Sequence, residues 1–376
     1  MTADRPAEIK ALAGARALPP LMIVLYHFCT FHHHVPAANV LGPPIAKGYL
    51  WVEFFFALSG FVLTHVYAAR AREFLKRQTY FDFLKLRLAR LYPVHFVTLV
   101  LIVLLMGTLR AFDAIGYAAL FGGSHAPLNT WQTFLANIFL VQAWNTVPDL
   151  TWNSVSWFVS VEFLLCLAFP LYLLVCRGGA GRGLILIAAG FVWLAVLALP
   201  SGVGLDITFN NGVFRGMAGF AVGAGMATVH RRAAARVPDW ACSAAQAAAV
   251  IFLFWALYFS GPDHTPADLW TAAAVDALLF VLALDRGFLA RTFCHPALLK
   301  LGEWSYGIYM GQILWLQLAH LLERHGLIAP RAAALEMGAV LLVSIGWGAL
   351  LATFVEQPAN ARLRKLLAQR KQARPA

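Results

Sequence analysis

The 376 residues are 60% hydrophobic and 12% charged, with 28 Phe and 12 Trp; soluble domains carry about twice that share of charge. Composition and recurrent apolar runs of roughly 17 to 25 residues predict an all-α, polytopic membrane helical bundle with little mass outside the bilayer. The net charge of +11 does not indicate nucleic acid, because the cations sit between apolar runs and not along one face of a soluble fold.

Residues 1–16 are polar, carry Arg5, Lys10 and Arg16, and precede a first span over about 17–35. A cleaved leader is not expected, since this apolar run ends in His32-His33-His34 without a small-residue cleavage site. The triplet reads as a solvated interfacial patch, because consecutive side chains point in different directions and do not form a metal site. A second span covers about 49–69. Seven cations follow between Arg70 and Arg90, the later ones interleaved with Phe81, Phe83, Leu84, Leu86 and Leu88, which predicts an amphipathic helix lying at the cytoplasmic interface.

The third span is predicted over about 91–110. The apolar stretch Phe134–Trp144 is too short to cross comfortably and is flanked by Pro127 and Pro148, so residues 131–146 read as a re-entrant or surface segment on the outer side. Further spans over about 154–176, 183–200, 212–229, 240–259, 268–284, 300–322 and 333–355 bring the total to about ten. With both termini cytoplasmic, 24 of the 29 Lys and Arg fall on the inner side, the pattern expected of retained positive loops. Residues 1–360 then form a single transmembrane domain and 361–376 a basic cytoplasmic tail. No internal repeat marks an inverted-repeat transporter. Cys29, Cys166, Cys176, Cys242 and Cys294 are scattered, and neither a disulfide framework nor a metal site is expected.

Ionisable residues within spans are costly and are functional candidates: His27, Glu53, His65, His95, Glu162, Arg215, Asp276 and Glu356. His27 lies deep in its span, eleven positions after Arg16, and on a continuous helix the two would share a face about 16 Å apart. Pro19 and Pro20 require that the regular helix begins there or kinks there. His27 is either a base for proton transfer or a histidine bonded to a neighbouring helix. Glu53 opens E-F-F-F-A-L-S-G, where Ser59 and Gly60 permit close helix approach and the carboxylate needs a cationic or imidazole partner. Glu162 could orient an imidazole, bind a sugar hydroxyl or pair with Arg215. Arg87 and Arg90, three apart, suit either phosphate or lipid headgroups. Gly219 and Gly223 form a GxxxG packing signal.

These pieces together resemble the acyltransferase family 3 membrane proteins of bacteria, over nearly the whole chain. Arg16 and His27 meet an R-x10-H pattern, and Phe55, Phe56, Ser59 and Gly60 meet F-F-x-x-S-G. Phe83, Arg87, Arg90 and Pro93 match an F-x-x-R-x-x-R-x-x-P element with altered spacing. Trp157 to Glu162 resembles W-S-L-S-x-E, with Phe158 in place of one Ser. Ser305-Tyr306-Gly307-Ile308-Tyr309 resembles the start of S-Y-x-x-Y-L-x-H, with Gln312 where His is usual, and Glu356 and Pro358 match a closing E-x-P.

The resemblance implies an enzyme of the bacterial inner membrane that moves an acyl group, most simply acetyl, from cytoplasmic acyl-CoA to a hydroxyl of a glycan or glycolipid. It implies His27 as general base, with Glu53 or Glu162 orienting the imidazole or the acceptor, and Arg16, Arg87, Arg90 and Ser59 in the donor site. A family mechanism that uses a second histidine does not fit Gln312. The competing classes are a transporter or flippase of a glycan or lipid precursor, and an assembly subunit without activity.

Overall fold

A computed structural model of the protein describes residues 7–31, 42–121, 128–233, 237–327 and 333–372; the His32-His33-His34 run lies outside them. The described residues form helices and turns, with no strand among them. The principal helices are α1 (Lys10–Ala15), α2 (Leu18–Phe31), α3 (Trp51–Tyr67), α4 (Arg77–Phe112), α5 (Trp157–Cys176) and α6 (Ala180–Ser201). They are followed by α7 (Gly212–Ala233), α8 (Asp239–Ser260), α9 (Asp268–Leu282), α10 (Pro296–Arg324), α11 (Ala333–Leu351) and α12 (Gln357–Gln372).

Eight helical segments among the described residues are long and apolar enough to cross a membrane. The other two predicted spans are helices of the same bundle with different composition or length. α9 has 15 residues. α10 is longer but polar, and its run from Ser305 to Ile313 is buried throughout. A helix enclosed by its neighbours meets protein and not lipid, so apolar packing does not require it to be hydrophobic on every side.

α1 stops at Arg16, and α2 begins at Leu18 with Pro19 and Pro20 in its first turn, where the missing N–H groups cost nothing. α3 packs on α7 through small residues at the contact. A Cβ on Gly223 would come within 1.8 Å of the Ala57 carbonyl oxygen, and one on Gly60 within 2.1 Å of that of Phe220. The Gly219–Gly223 spacing and Gly60 are therefore one helix contact seen from both sides.

Two sequence expectations change. The predicted interfacial helix over 70–90 and the span over 91–110 are one helix, since α4 runs for 36 residues straight through Pro93. At 1.5 Å per residue it is about 54 Å long, well beyond a hydrocarbon core of about 30 Å, so Arg87 and Arg90 stand on a continuing transmembrane helix and not on a separate surface element. Residues 361–372 of the basic tail are likewise helical: the boundary at 360 falls inside α12, which packs along α4.

Residues 131–146 do not cross. Trp131–Ile138 is an eight-residue helix whose Thr130 cap bonds reciprocally with Thr133. The chain then turns back onto α5, where Ser160 Oγ donates to the Leu140 carbonyl (2.8 Å) and accepts the Ala143 N–H (3.1 Å). Trp144 donates its indole N–H to the Ser160 carbonyl at 3.0 Å. Ser160 of the W-x-x-S stretch thus pins the loop that leads to Asp149–Ser154.

Candidate active site

Three cavities lie within the bundle, and neighbouring ones have lining residues in common. The widest, about 830 Å³, is framed by α4 and α12 and lined by Arg16, Arg87, Arg90, Arg364 and Glu356 among others. A narrow throat of about 120 Å³ continues from it, also lined by Arg16, Arg87 and Arg90, and adds Ser59, Glu162, Phe55, Phe158 and Tyr309. The third, about 530 Å³, contains His27 and shares Tyr309 with the throat.

At the arginine end, the break between α1 and α2 turns Arg16 toward the two arginines of α4, three positions apart on one helical face. Ser59 donates to Glu162 Oε1 at 2.5 Å, which seats that carboxylate in the throat opposite the arginines. Glu356 ends a π-helical turn, Ala352–Glu356, and lies 3.9 Å from Arg90 Nε; such turns re-aim a side chain that a regular helix would direct elsewhere. The wide cavity also carries Glu73, Asp82 and Glu303, whereas the throat itself holds three arginines against one carboxylate. Guanidinium groups in that surplus are suited to bind phosphates bidentately.

At the other end, His27 Nδ1 lies 3.0 Å from Gln312 Oε1. Gln312 donates its own amide to the Tyr309 carbonyl at 2.9 Å, so its carbonyl oxygen is the atom presented to the imidazole. An acceptor at Nδ1 places the proton there and leaves the lone pair on Nε2. The histidine is thereby held in the tautomer that a general base requires. Tyr309 is fixed in turn by donation to the Val155 carbonyl at 3.0 Å.

Of the predicted site residues, Arg16, Ser59, Arg87, Arg90 and Glu162 meet in the throat, and His27 stands beyond it in the next cavity. Glu53 belongs elsewhere. Its carboxylate is fully buried against Arg215 Nε at 2.5 Å, and Arg215 also donates to the Tyr49 carbonyl at 3.3 Å. Arg215 therefore pairs with Glu53 and not with Glu162, and neither acid bonds His27, whose partner is Gln312. Tyr309, Arg364, Trp152 and Asp206 were not among the sequence candidates; each is placed by packing between segments distant in the chain. Among the described residues, no group of three or more His, Cys, Asp or Glu is placed to hold a metal ion.

A helical bundle with many apolar spans, holding one cavity lined by arginines and a neighbouring one that contains a hydrogen-bonded imidazole, defines a multi-pass membrane protein. A family model described as an acyltransferase domain matches residues 9–355, and the chain belongs to that family: it is an acyltransferase. It is 29% identical over 385 residues to the acyltransferase MdmB of Streptomyces mycarofaciens, covering 94% of this chain and 92% of that one. It is also 31% identical over 171 residues to protein 2 in the picA locus of Rhizobium radiobacter, covering 41% of this chain and 84% of that protein. No solved structure matches it.

Proposed function

We propose that the protein transfers an acyl group, most simply acetyl, from acyl-CoA to a sugar hydroxyl, working in a bacterial inner membrane with its arginine end toward the cytoplasm. The observation that carries this reading is that the arginine throat and the His27 cavity are neighbours, with Tyr309 in the wall of both. Arg16, Arg87 and Arg90 hold the phosphates of the donor. The throat that Arg16 lines shares Tyr309 with the His27 cavity, so the donor's extended pantetheine arm leads from the arginines toward the imidazole. The thioester then stands beside the imidazole. His27 Nε2 takes the proton of the acceptor hydroxyl as its oxygen attacks the thioester carbonyl. The carbon–sulfur bond breaks, CoA leaves as the thiolate, and the imidazolium returns the proton to it. Glu162 lies on the donor's path and contacts the arm; Glu53 holds α3 to α7 through Arg215.

The test uses purified protein in detergent with acetyl-CoA. Arg87→Ala with Arg90→Ala is expected to lose saturable donor binding. His27→Ala is expected to bind the donor and to lose transfer by at least about a hundredfold, the lower range of general-base contributions. Turnover retained in His27→Ala would falsify the assignment of the base. Movement of a glycolipid across vesicles in the absence of any donor would point to a transporter.

A further inference from the structure

The transfer reading leaves the acceptor's charge open, and the throat and the His27 cavity differ in sign. The throat holds a surplus of arginine. The His27 cavity is lined by Asp149 and Asp206, and by no Lys or Arg among the described residues.

Both carboxylates sit in built surroundings. Asp149 accepts the Leu150 N–H at 2.7 Å. Asp206 lies 3.3 Å from His264 Nδ1, and the His264 ring stacks on Tyr49 with centroids 4.7 Å apart. The same cavity is walled by Trp152 and Trp157. Trp152 has φ of 54°, a left-handed conformation that a bulky residue keeps only where its surroundings hold it. Here Asn129 accepts its backbone N–H at 2.8 Å and Thr133 its indole N–H at 3.2 Å. An aromatic face held at such cost offers a platform for the C–H face of a pyranose, and carboxylates accept the ring's hydroxyl protons.

Resting on the transfer reading, we propose that the His27 cavity selects a sugar that carries no anionic group, whether uncharged or bearing a basic amine. Asp149 and Asp206 set that choice, and Trp152 is the platform. A uronic or phosphorylated ring would meet two carboxylates and no Lys or Arg among the described lining residues. Hydroxyl and ammonium groups present donors to the same oxygens.

The experiment measures acetyl transfer from acetyl-CoA to three matched detergents, octyl glucoside, octyl glucosaminide and octyl glucuronide, by the full-length protein in nanodiscs. The expected result is transfer to the first two and a kcat/KM at least about tenfold lower for the glucuronide, the like-charge penalty appearing in KM. Asp206→Asn and Asp149→Asn are each expected to narrow that ratio, and Trp152→Ala to raise KM for the glucoside with kcat less affected. Should one variant fail to fold, the discrimination by the wild type still decides. Equal use of the glucuronide overturns the proposal, as does an unchanged ratio in both aspartate variants. Donor hydrolysis with transfer to none of the three also overturns it while sparing the transfer reading, and acetyl-CoA that neither binds nor turns over strikes the transfer reading itself.

Discussion

At the scale of single residues, the base and its partner illustrate what a sequence can disclose. His27 and Arg16 are legible as candidates because charge inside an apolar run is conspicuous and because both sit in one short segment. The bond between His27 and Gln312 spans 285 positions, and no spacing rule reaches that far; Gln312 registers in the sequence only as a departure from a histidine motif. Its geometry gives it work of another kind, since an amide oxygen fixed by Tyr309 sets the imidazole's tautomer without exchanging a proton. Gln312→Leu is therefore expected to lower kcat by at least about tenfold with KM for acyl-CoA little changed. Gln312→Glu, which keeps an acceptor oxygen at Nδ1, should retain more activity than the Leu variant. Steady-state kinetics on the two proteins, with the histidine ring nitrogens followed by 15N NMR, distinguishes orientation from a loss of fold. Glu53 teaches the converse: a carboxylate beside three phenylalanines announces that it has a partner, and the sequence left imidazole and cation open until Arg215 appeared against it.

At the scale of elements, eight of the ten spans read from hydropathy are long and apolar enough to cross among the described residues, while helix continuity was not readable. Cations before Pro93 look like the end of one element, yet neighbouring helices support α4 across the proline for 36 residues. The GxxxG signal at Gly219 and Gly223 has its counterpart across the interface in Ala57 and Gly60. Because a side chain at Gly223 would collide with backbone, Gly223→Ala is expected to cost about 1 to 3 kcal/mol, measured as a lower melting temperature in detergent. Gly107→Ala, where a Cβ meets nothing within 4 Å, is the matched control.

A contact outside the spans gives a pH dependence. Asp113, just past the end of α4, accepts the Gly116 N–H at 2.9 Å and the His325 imidazole at 2.7 Å, tying that end to the end of α10. These bonds, the Gly116 amide first and His325 second, hold its carboxyl below the ordinary carboxylate range. A depressed acid stabilises the folded state above its unfolded pKa of about 3.9, and that contribution is lost as pH falls through the lower folded value. Wild type is expected to melt slightly above Asp113→Asn near neutral pH, and the gap to close on acidification below about pH 4.

At the scale of the whole molecule, the arginine throat and the His27 cavity differ in charge, and on the proposed reading ionic strength should separate the two substrates. Added salt is expected to raise KM for acyl-CoA, whose phosphates meet the arginines, and to leave KM for an uncharged glycoside nearly unchanged. A series of KM values from low to high salt tests this. The narrow stretch between the cavities has a further consequence. On the proposed route, a donor entering from one side and an acceptor from the other would need an open way through the membrane, and an open way would dissipate the ion gradients the cell lives on. Phe55, Phe158 and Tyr309 line the throat, their rings within 6.0 Å of one another. With no donor in place, that aromatic cluster is expected to act as an electrical seal.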